Sequence, residues 1–287
     1  MRHYRSEANE RWVGFPHRPG DIVISTRSKS GTTWVQMICA LLVLQTPDLP
    51  APLTLLSPWV DAEHEPPDVV RARVEAQEHR RFLKTHTPLD GLPLDDEVTY
   101  VVVGRHPLDV GLSLHHHLAN LDHRRITELT GADATPPEDV DDRTWMAWWV
   151  ATEEAPEEHL DRLPGVVHHA ADAWTRRTER NVVLVHYQDL VDDLPGEMGR
   201  LAGRLGIEVD QARWPDLVAA ASFAAMRARS EDRAPDHLGV LRDRAAFFRA
   251  GTSGRGAALL DDAQLQAYEA RVAAMAPPDL VSWLHRP

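Results

Sequence analysis

Four short runs rich in β-branched and aromatic residues, at 22–26, 81–84, 99–104 and 181–186, each end at an abrupt change in chemistry. Helical periodicity fills the sequence between and after them, at 32–45, 69–79, 107–120, 144–152, 166–180, 194–205 and 262–275. Short buried strands alternating with helices specify a parallel sheet covered on both faces. The fold class expected is therefore α/β, with three layers in the order α/β/α. Two Pro-rich stretches interrupt the alternation: residues 46–67, with six prolines, and residues 131–142. Neither leads into a second core, so both read as long surface loops that shape a pocket, and residues 1–287 read as a single domain.

A chain of 287 residues buries enough apolar surface to need no disulfide or metal staple. Its one cysteine, Cys39, cannot form an internal disulfide and belongs on the buried face of the helix at 32–45. The N-terminal segment MRHYRSEANERWVGF lacks the apolar core of a signal peptide, and no run approaches the length of a membrane span. A cytoplasmic protein without a transmembrane segment is expected. The formal charge of −13 argues against a nucleic-acid partner, which would require clustered Lys and Arg. A few basic residues set in loops against that acidic background suit a small, specific anion.

The loop RSKSGTTW, residues 27–34, joins the first strand to the first helix. Ligands of parallel sheets sit beyond the carboxyl ends of the strands, and a helix N-terminus there favours an anion. Gly31 permits close backbone approach, Thr32 and Thr33 can cap the helix, and Lys29 adds a point charge. The lysine precedes the glycine, so this is not the G-x-x-x-x-G-K-[ST] loop of nucleoside triphosphatases. The same residues also suit a capped helix with a solvated lysine. In RRFLKTHTPLDGLP, Lys84 and His86 point to one side of an extended chain at a strand's end. A histidine there is a candidate general base for a hydroxyl, with Lys84 stabilising transferred charge. In VVVGRHPLDVGLSLHHH, Arg105 ends a strand, Pro107 opens a helix, and Ser113 lies about two turns further on. Arg and Ser so placed can grip a phosphate. His115, His116 and His117 diverge around a helix and cannot all hold one metal.

Six segments in order, RSKSGTTW, LKTHTPL, GRHPLDVGLS, NVVLVHYQDL, AASFAAM and FFRAGTSG, together resemble the cytosolic-type sulfotransferases that use 3′-phosphoadenosine 5′-phosphosulfate (PAPS). The resemblance runs from Gly20 to Gly254. It implies a P-loop, nucleotide-kinase-like fold and transfer of a sulfuryl group to a hydroxyl of a small-molecule, lipid or glycolipid acceptor. It further implies that Arg27, Lys29, Ser30, Gly31, Thr32 and Thr33 surround the 5′-phosphosulfate and that Trp34 stacks on the adenine. Arg105 and Ser113 would take the 3′-phosphate, Tyr187 the neighbourhood of the adenine, and Ser222 and Phe223 the nucleotide. Arg249 and the backbone at Gly251 would close over the 3′-phosphate. His86 would be the base, with Lys29 and Lys84 its catalytic partners and 3′-phosphoadenosine 5′-phosphate (PAP) the product; positive side chains suffice and no metal is required.

The chain departs from the family at RAGTSGRGA, where RKGxxGDWK is usual: Ala250 replaces lysine, Gly256 tryptophan and Ala257 lysine. Arg255 is the candidate replacement charge, and a closing loop in a different position is one expectation. The dimerisation motif of animal members is absent at 257–266, so no oligomeric state is implied. His106 stands where the family has Asn. Among the remaining features, Trp145, Trp148 and Trp149 read as core, with an acceptor pocket the alternative. His123, Arg124 and Arg125 read as a charged loop, and His168 and His169 as part of a solvated helix. A nucleotide kinase would need the missing G-K-[ST] order and a Mg²⁺ ligand. A nucleotide-binding protein without catalysis would explain the altered C-terminal segment but not Lys29, Lys84 and His86. The Ala, Arg and Asp content suggests a GC-rich bacterium. The acceptor is not legible.

Overall fold

The computed structural model describes residues 1–131, 139–249 and 251–286. Four parallel strands, β1 (Ile22–Thr26), β2 (Phe82–Thr85), β3 (Thr99–Gly104) and β4 (Val182–His186), form a sheet in the order β2-β1-β3-β4. The expected runs and the observed strands differ by one residue at most. Alternate side chains divide between the two faces. Ile22, Ile24, Val101, Val103, Val183 and Val185 pack with helix α1 (Thr32–Leu44) and the Leu194–Leu205 and Trp214–Ala221 helices. Val23, Leu83, Tyr100, Val102 and Val182 turn to the other face, over Trp12, Val70 and Ala173. A further apolar cluster joins the Pro107–Ala119, Asp142–Ala151, Leu163–Thr175 and Asp262–Met275 helices. The result is the expected three-layer α/β/α architecture.

Cys39 is buried in α1, where burial pushes its thiol up to about 12. Among the described residues, no helix is long and apolar enough to cross a membrane. Trp145 and Trp149 are core, their indole N–H groups donating to the carbonyls of Gly111 and Asp161, while Trp148 is exposed.

Several expectations are corrected. Residues 123–130 form a helix capped by Asp122, whose carboxylate accepts from the Arg125 amide; with Ile126 and Leu129 as its only large aliphatic residues it leaves little periodic trace. His169 is buried rather than solvated, because its face of the Leu163–Thr175 helix covers the sheet, and its Nε2 lies 2.9 Å from Ser25 Oγ. His168 meets the Tyr4 hydroxyl at 2.8 Å. The Pro-rich stretch at 46–67 is not only a surface loop: Lys84 donates to the Pro58 carbonyl and accepts from Val60, so this segment extends the sheet edge beside β2. Most of the second Pro-rich stretch, including Pro136 and Pro137, lies outside the described residues.

Candidate active site

The register places the carboxyl ends of the strands side by side, with Ser25 opposite both Thr85 and Val102, and Gly104 opposite His186. The loop at 27–31, His86, Arg105 and Tyr187 therefore emerge at one edge, where a cavity of about 480 Å³ opens. Lys29, Gly31, Thr32, Thr33 and Trp34 line it from the loop and α1. Lys84, His86, Arg105 and Tyr187 line it from the strand ends, and Ser113 from the Pro107–Ala119 helix. Phe223, Arg249 and Gly251 approach from the C-terminal third.

Three expected site residues do not line this cavity. Arg27 is buried with its guanidinium bonded to Glu7 at 2.9 Å, to Asp161 at 2.5 Å and to the His86 carbonyl, so it ties the loop to the N-terminal segment. The Ser30 amide closes the loop onto the Arg27 carbonyl at 3.1 Å. Ser222 caps the Phe223–Ala228 helix by accepting from the Ala225 amide.

The loop itself is built for an anion. Gly31 is the N-cap of α1 at φ 110°, and a Cβ there would stand 2.9 Å from the Tyr187 ring. No side chain caps this helix; Thr32 instead turns its hydroxyl to Thr26, 2.5 Å away. The first-turn N–H groups have no intrahelical acceptor and carry the positive end of the helix dipole. Lys29 adopts φ 65°, in the left-handed region, a strain that concentrates at functional sites. Arg105 holds it there by donating to the Lys29 carbonyl at 2.9 Å while lying over the Tyr187 ring. Buried Arg105 Nε has no partner among the described residues, which leaves a donor for an anion.

The lysines are shifted toward neutrality. Burial, then Arg105 and Lys84, push Lys29 down to about 7; its ammonium sits 3.8 Å from the Phe247 ring centroid. Burial pushes Lys84 down to about 8, and its ammonium lies 3.7 Å from the Trp59 ring centroid. Lys29 is therefore disfavoured as an ammonium by its neighbours Arg105 and Lys84, a cost that an anion bound beside it would relieve. His86 Nδ1 lies 2.5 Å from the Thr26 carbonyl, which can only accept. Nδ1 therefore carries the proton and Nε2 keeps its lone pair. Burial, Lys84 and Arg27 hold His86 well below the ordinary histidine range, so it is neutral at pH 7.

The altered C-terminal segment sits close to the Pro107–Ala119 helix. The Asp109 carboxylate accepts from the Gly254 amide at 2.8 Å and the Gly256 amide at 3.0 Å. A Cβ on Gly256 would stand 2.3 Å from the Leu108 carbonyl oxygen, so no tryptophan fits. Arg255 lines the cavity, and burial followed by the nearby Arg255 charge lowers the Arg249 pKa, which puts the candidate replacement charge near Arg249. Ala250 lies outside the described residues. His106 Nδ1 caps the Pro107–Ala119 helix, a role Asn also fills. The histidine triplet does not converge as a set: His115 and His116 both approach Asp142, at 3.6 and 2.7 Å, with His115 also meeting the Val140 carbonyl, while His117 turns to the Phe247 ring.

The protein-family model described as a sulfotransferase domain matches residues 19–274. The chain belongs to the sulfotransferase family. A glycolipid sulfotransferase from Mycobacterium bovis (strain BCG / Pasteur 1173P2) is 39% identical to this sulfotransferase over 307 aligned positions, covering 96% of the chain and 91% of the relative. Two solved structures share the fold. Mouse sulfotransferase SULT7A1 complexed with PAP matches with a TM-score of 0.73 at 16% identity, over 98% of this chain and 94% of that one. Retinol dehydratase with androsterone and the inactive cofactor PAP matches with a TM-score of 0.71 at 20% identity, over 94% and 84%.

Among the cavity residues that sequence reasoning did not single out are Glu7, Asp61, His64 and Asp161. No motif marks them, because their partners are remote in the chain. The remaining signal was the Pro-rich stretch at 46–67, read as pocket-forming, which supplies Asp61 and His64.

The close seat of Gly256 makes one clear expectation. Gly256→Ala should push the segment at 254–256 off the helix and break the Asp109 contacts. Overpacking of this kind lowers stability by about 1–3 kcal/mol. Thermal unfolding should then occur several degrees lower, at about 2 °C or more per kcal/mol. An unchanged melting temperature would mean that the segment does not pack on the helix.

Proposed function

We propose that this sulfotransferase binds PAPS and transfers its sulfuryl group to a hydroxyl of a glycolipid or other small-molecule acceptor, with His86 as general base. One observation carries the reading: an uncapped helix N-terminus, two lysines shifted toward neutrality and a neutral histidine with a free Nε2 meet in one cavity. The mycobacterial relative's name supports the acceptor class, and the two PAP complexes support the donor.

In this reading the α1 amides and Lys29 hold the 5′-phosphosulfate, and Arg105, Ser113 and Arg249 hold the 3′-phosphate. The acceptor oxygen forms a bond to sulfur as the bond from sulfur to the 5′-phosphate oxygen breaks, and the electron pair stays on that phosphate oxygen. Lys29 meets the charge growing there, and Lys84 the charge on the sulfuryl group. The hydroxyl proton passes to His86 Nε2. The work is positioning plus charge stabilisation, as in phosphoryl transfer.

Thermal unfolding with PAP, against 5′-AMP, tests the donor without knowledge of the acceptor. Ligand at a hundred times Kd should stabilise by about 2.7 kcal/mol. For a chain of this size the melting temperature should rise by several degrees, at about 2 °C or more per kcal/mol. Arg105→Ala should lose most of the shift and AMP should give little. No shift at millimolar PAP would overturn the donor assignment.

A further inference from the structure

One buried acid beside the base takes no part in the transfer chemistry. Asp61 is 1% exposed yet lines the cavity. Its Oδ2 accepts from Trp12 Nε1 at 3.2 Å, Thr85 Oγ1 at 2.5 Å and Thr87 Oγ1 at 2.6 Å. Its Oδ1 is buried with no partner among the described residues. A carboxylate oxygen accepts only, so what completes it is a donor. Thr85 and Thr87 flank His86 in the chain, so this acid is pinned by both neighbours of the base.

Glu7, Glu63, His64 and Asp161 line the cavity as well. Two cations answer these acids: Arg27 is paired with Glu7 and Asp161, and Lys84 feels Asp61, Glu7 and Asp161. A group that brings several hydroxyl donors answers more of these acceptors than a single ammonium and adds no second positive charge beside Lys84. Apolar side chains line the cavity as well, among them Leu118, Leu121, Ile126, Leu238, Leu241 and Phe247. They are held in place by the bridge between Leu121 and Leu241 and by the Asp122 amide donating to the Val240 carbonyl at 2.9 Å. The cavity thus carries both a set of acidic acceptors and a set of aliphatic side chains.

We propose that the acceptor is an amphiphile with a polyhydroxylated head group, one of whose hydroxyls donates to Asp61 Oδ1 while the tail lies along the Leu118–Leu241 wall. Asp61 is thus a specificity-determining residue. The proposal rests on the sulfotransferase reading above and deepens it by naming the residues that select the acceptor.

The test compares sulfuryl transfer from PAPS to n-octyl β-glucoside below its micelle concentration, to n-octanol, to n-octylamine and to free glucose. The glycoside should exceed each of the others in kcat/KM by about tenfold or more, as expected where a site hydrogen-bonds a substrate hydroxyl. Asp61→Asn presents an amide N–H₂ where an acceptor stood and should collapse the ratio of glycoside to octanol toward one. A merely structural Asp61 would lower both substrates alike and leave that ratio intact. Leu238→Gln should lower the ratio of octyl to methyl glucoside. The PAP-induced melting shift, measured in each variant, reports that it folds. Octanol or octylamine equalling the glycoside, a ratio untouched by Asp61→Asn, or PAP binding with none of the four sulfated would each overturn the proposal. Absence of both PAP binding and transfer in the unaltered protein would instead overturn the underlying donor reading.

Discussion

Replacing His86 by Asn should reduce sulfuryl transfer by about 10²–10⁴-fold, the range of a positioned general base. The structural part of the histidine is its Nδ1 proton on the Thr26 carbonyl. An asparagine amide can make a similar donation, but it offers no basic nitrogen in place of Nε2. His86→Asn therefore separates the two roles, where His86→Ala removes both. The PAP-induced rise in melting temperature should survive in both variants, because nothing in the donor cradle depends on Nε2. Retention of turnover by His86→Asn with a measured donor shift would remove the base assignment and leave the ring a structural role. The depressed pKa sets the pH dependence as well. Catalysis needs neutral His86, and burial with Lys84 and Arg27 keeps it neutral to well below the ordinary histidine range. Any acid limb of kcat/KM assigned to His86 should lie below that range.

The parallel sheet and the anion loop were legible because each is written in consecutive residues. β-Branched runs betray buried strands, and the loop, its glycine and the following helix form one contiguous piece. Thr32 illustrates the limit within that piece. A threonine at a helix start reads as a cap, yet its hydroxyl goes to Thr26 and leaves the helix end open. Asp61, by contrast, bonds to residues 24 and 26 positions away, and Arg27 bonds to Asp161 across 134 positions. Such pairings follow from topology and leave no periodic mark. His169 and the helix at His123–Thr130 were missed for a related reason: one polar or charged stretch looks the same whether it faces solvent or a neighbour. Arg27 shows the converse, since a basic residue in an anion loop can face inward and serve the scaffold.

Lys29→Met should raise thermal stability while lowering kcat by about 10²–10³-fold, the scale of removing one preorganised charge-stabilising donor. The lysine ordinarily titrates near 10.5, and burial with Arg105 and Lys84 brings it down to about 7. Between these values the unfolded chain binds more protons than the folded one, so this group's contribution to stability improves as pH rises from about 7 toward 10.5. Below pH 7 the ammonium is charged in both states and the full unfavourable burial is carried. Cavity water moderates that burial, and a methionine of similar length should gain about 1–3 kcal/mol at pH 6. The advantage should shrink steadily toward pH 10. The left-handed backbone at residue 29 remains in the variant, so the gain isolates the charge. Donor product reverses the comparison. A bound anion favours the ammonium, so PAP should draw protons onto Lys29 and Lys84 at pH 8, and its affinity should rise as pH falls from 8 to 6. Calorimetry of PAP binding in buffers of different ionisation enthalpy measures that uptake, and Lys29→Met should reduce it along with the affinity. Equal stability of variant and parent at pH 6, with proton uptake unchanged, would mean that Lys29 is already neutralised by something other than the donor.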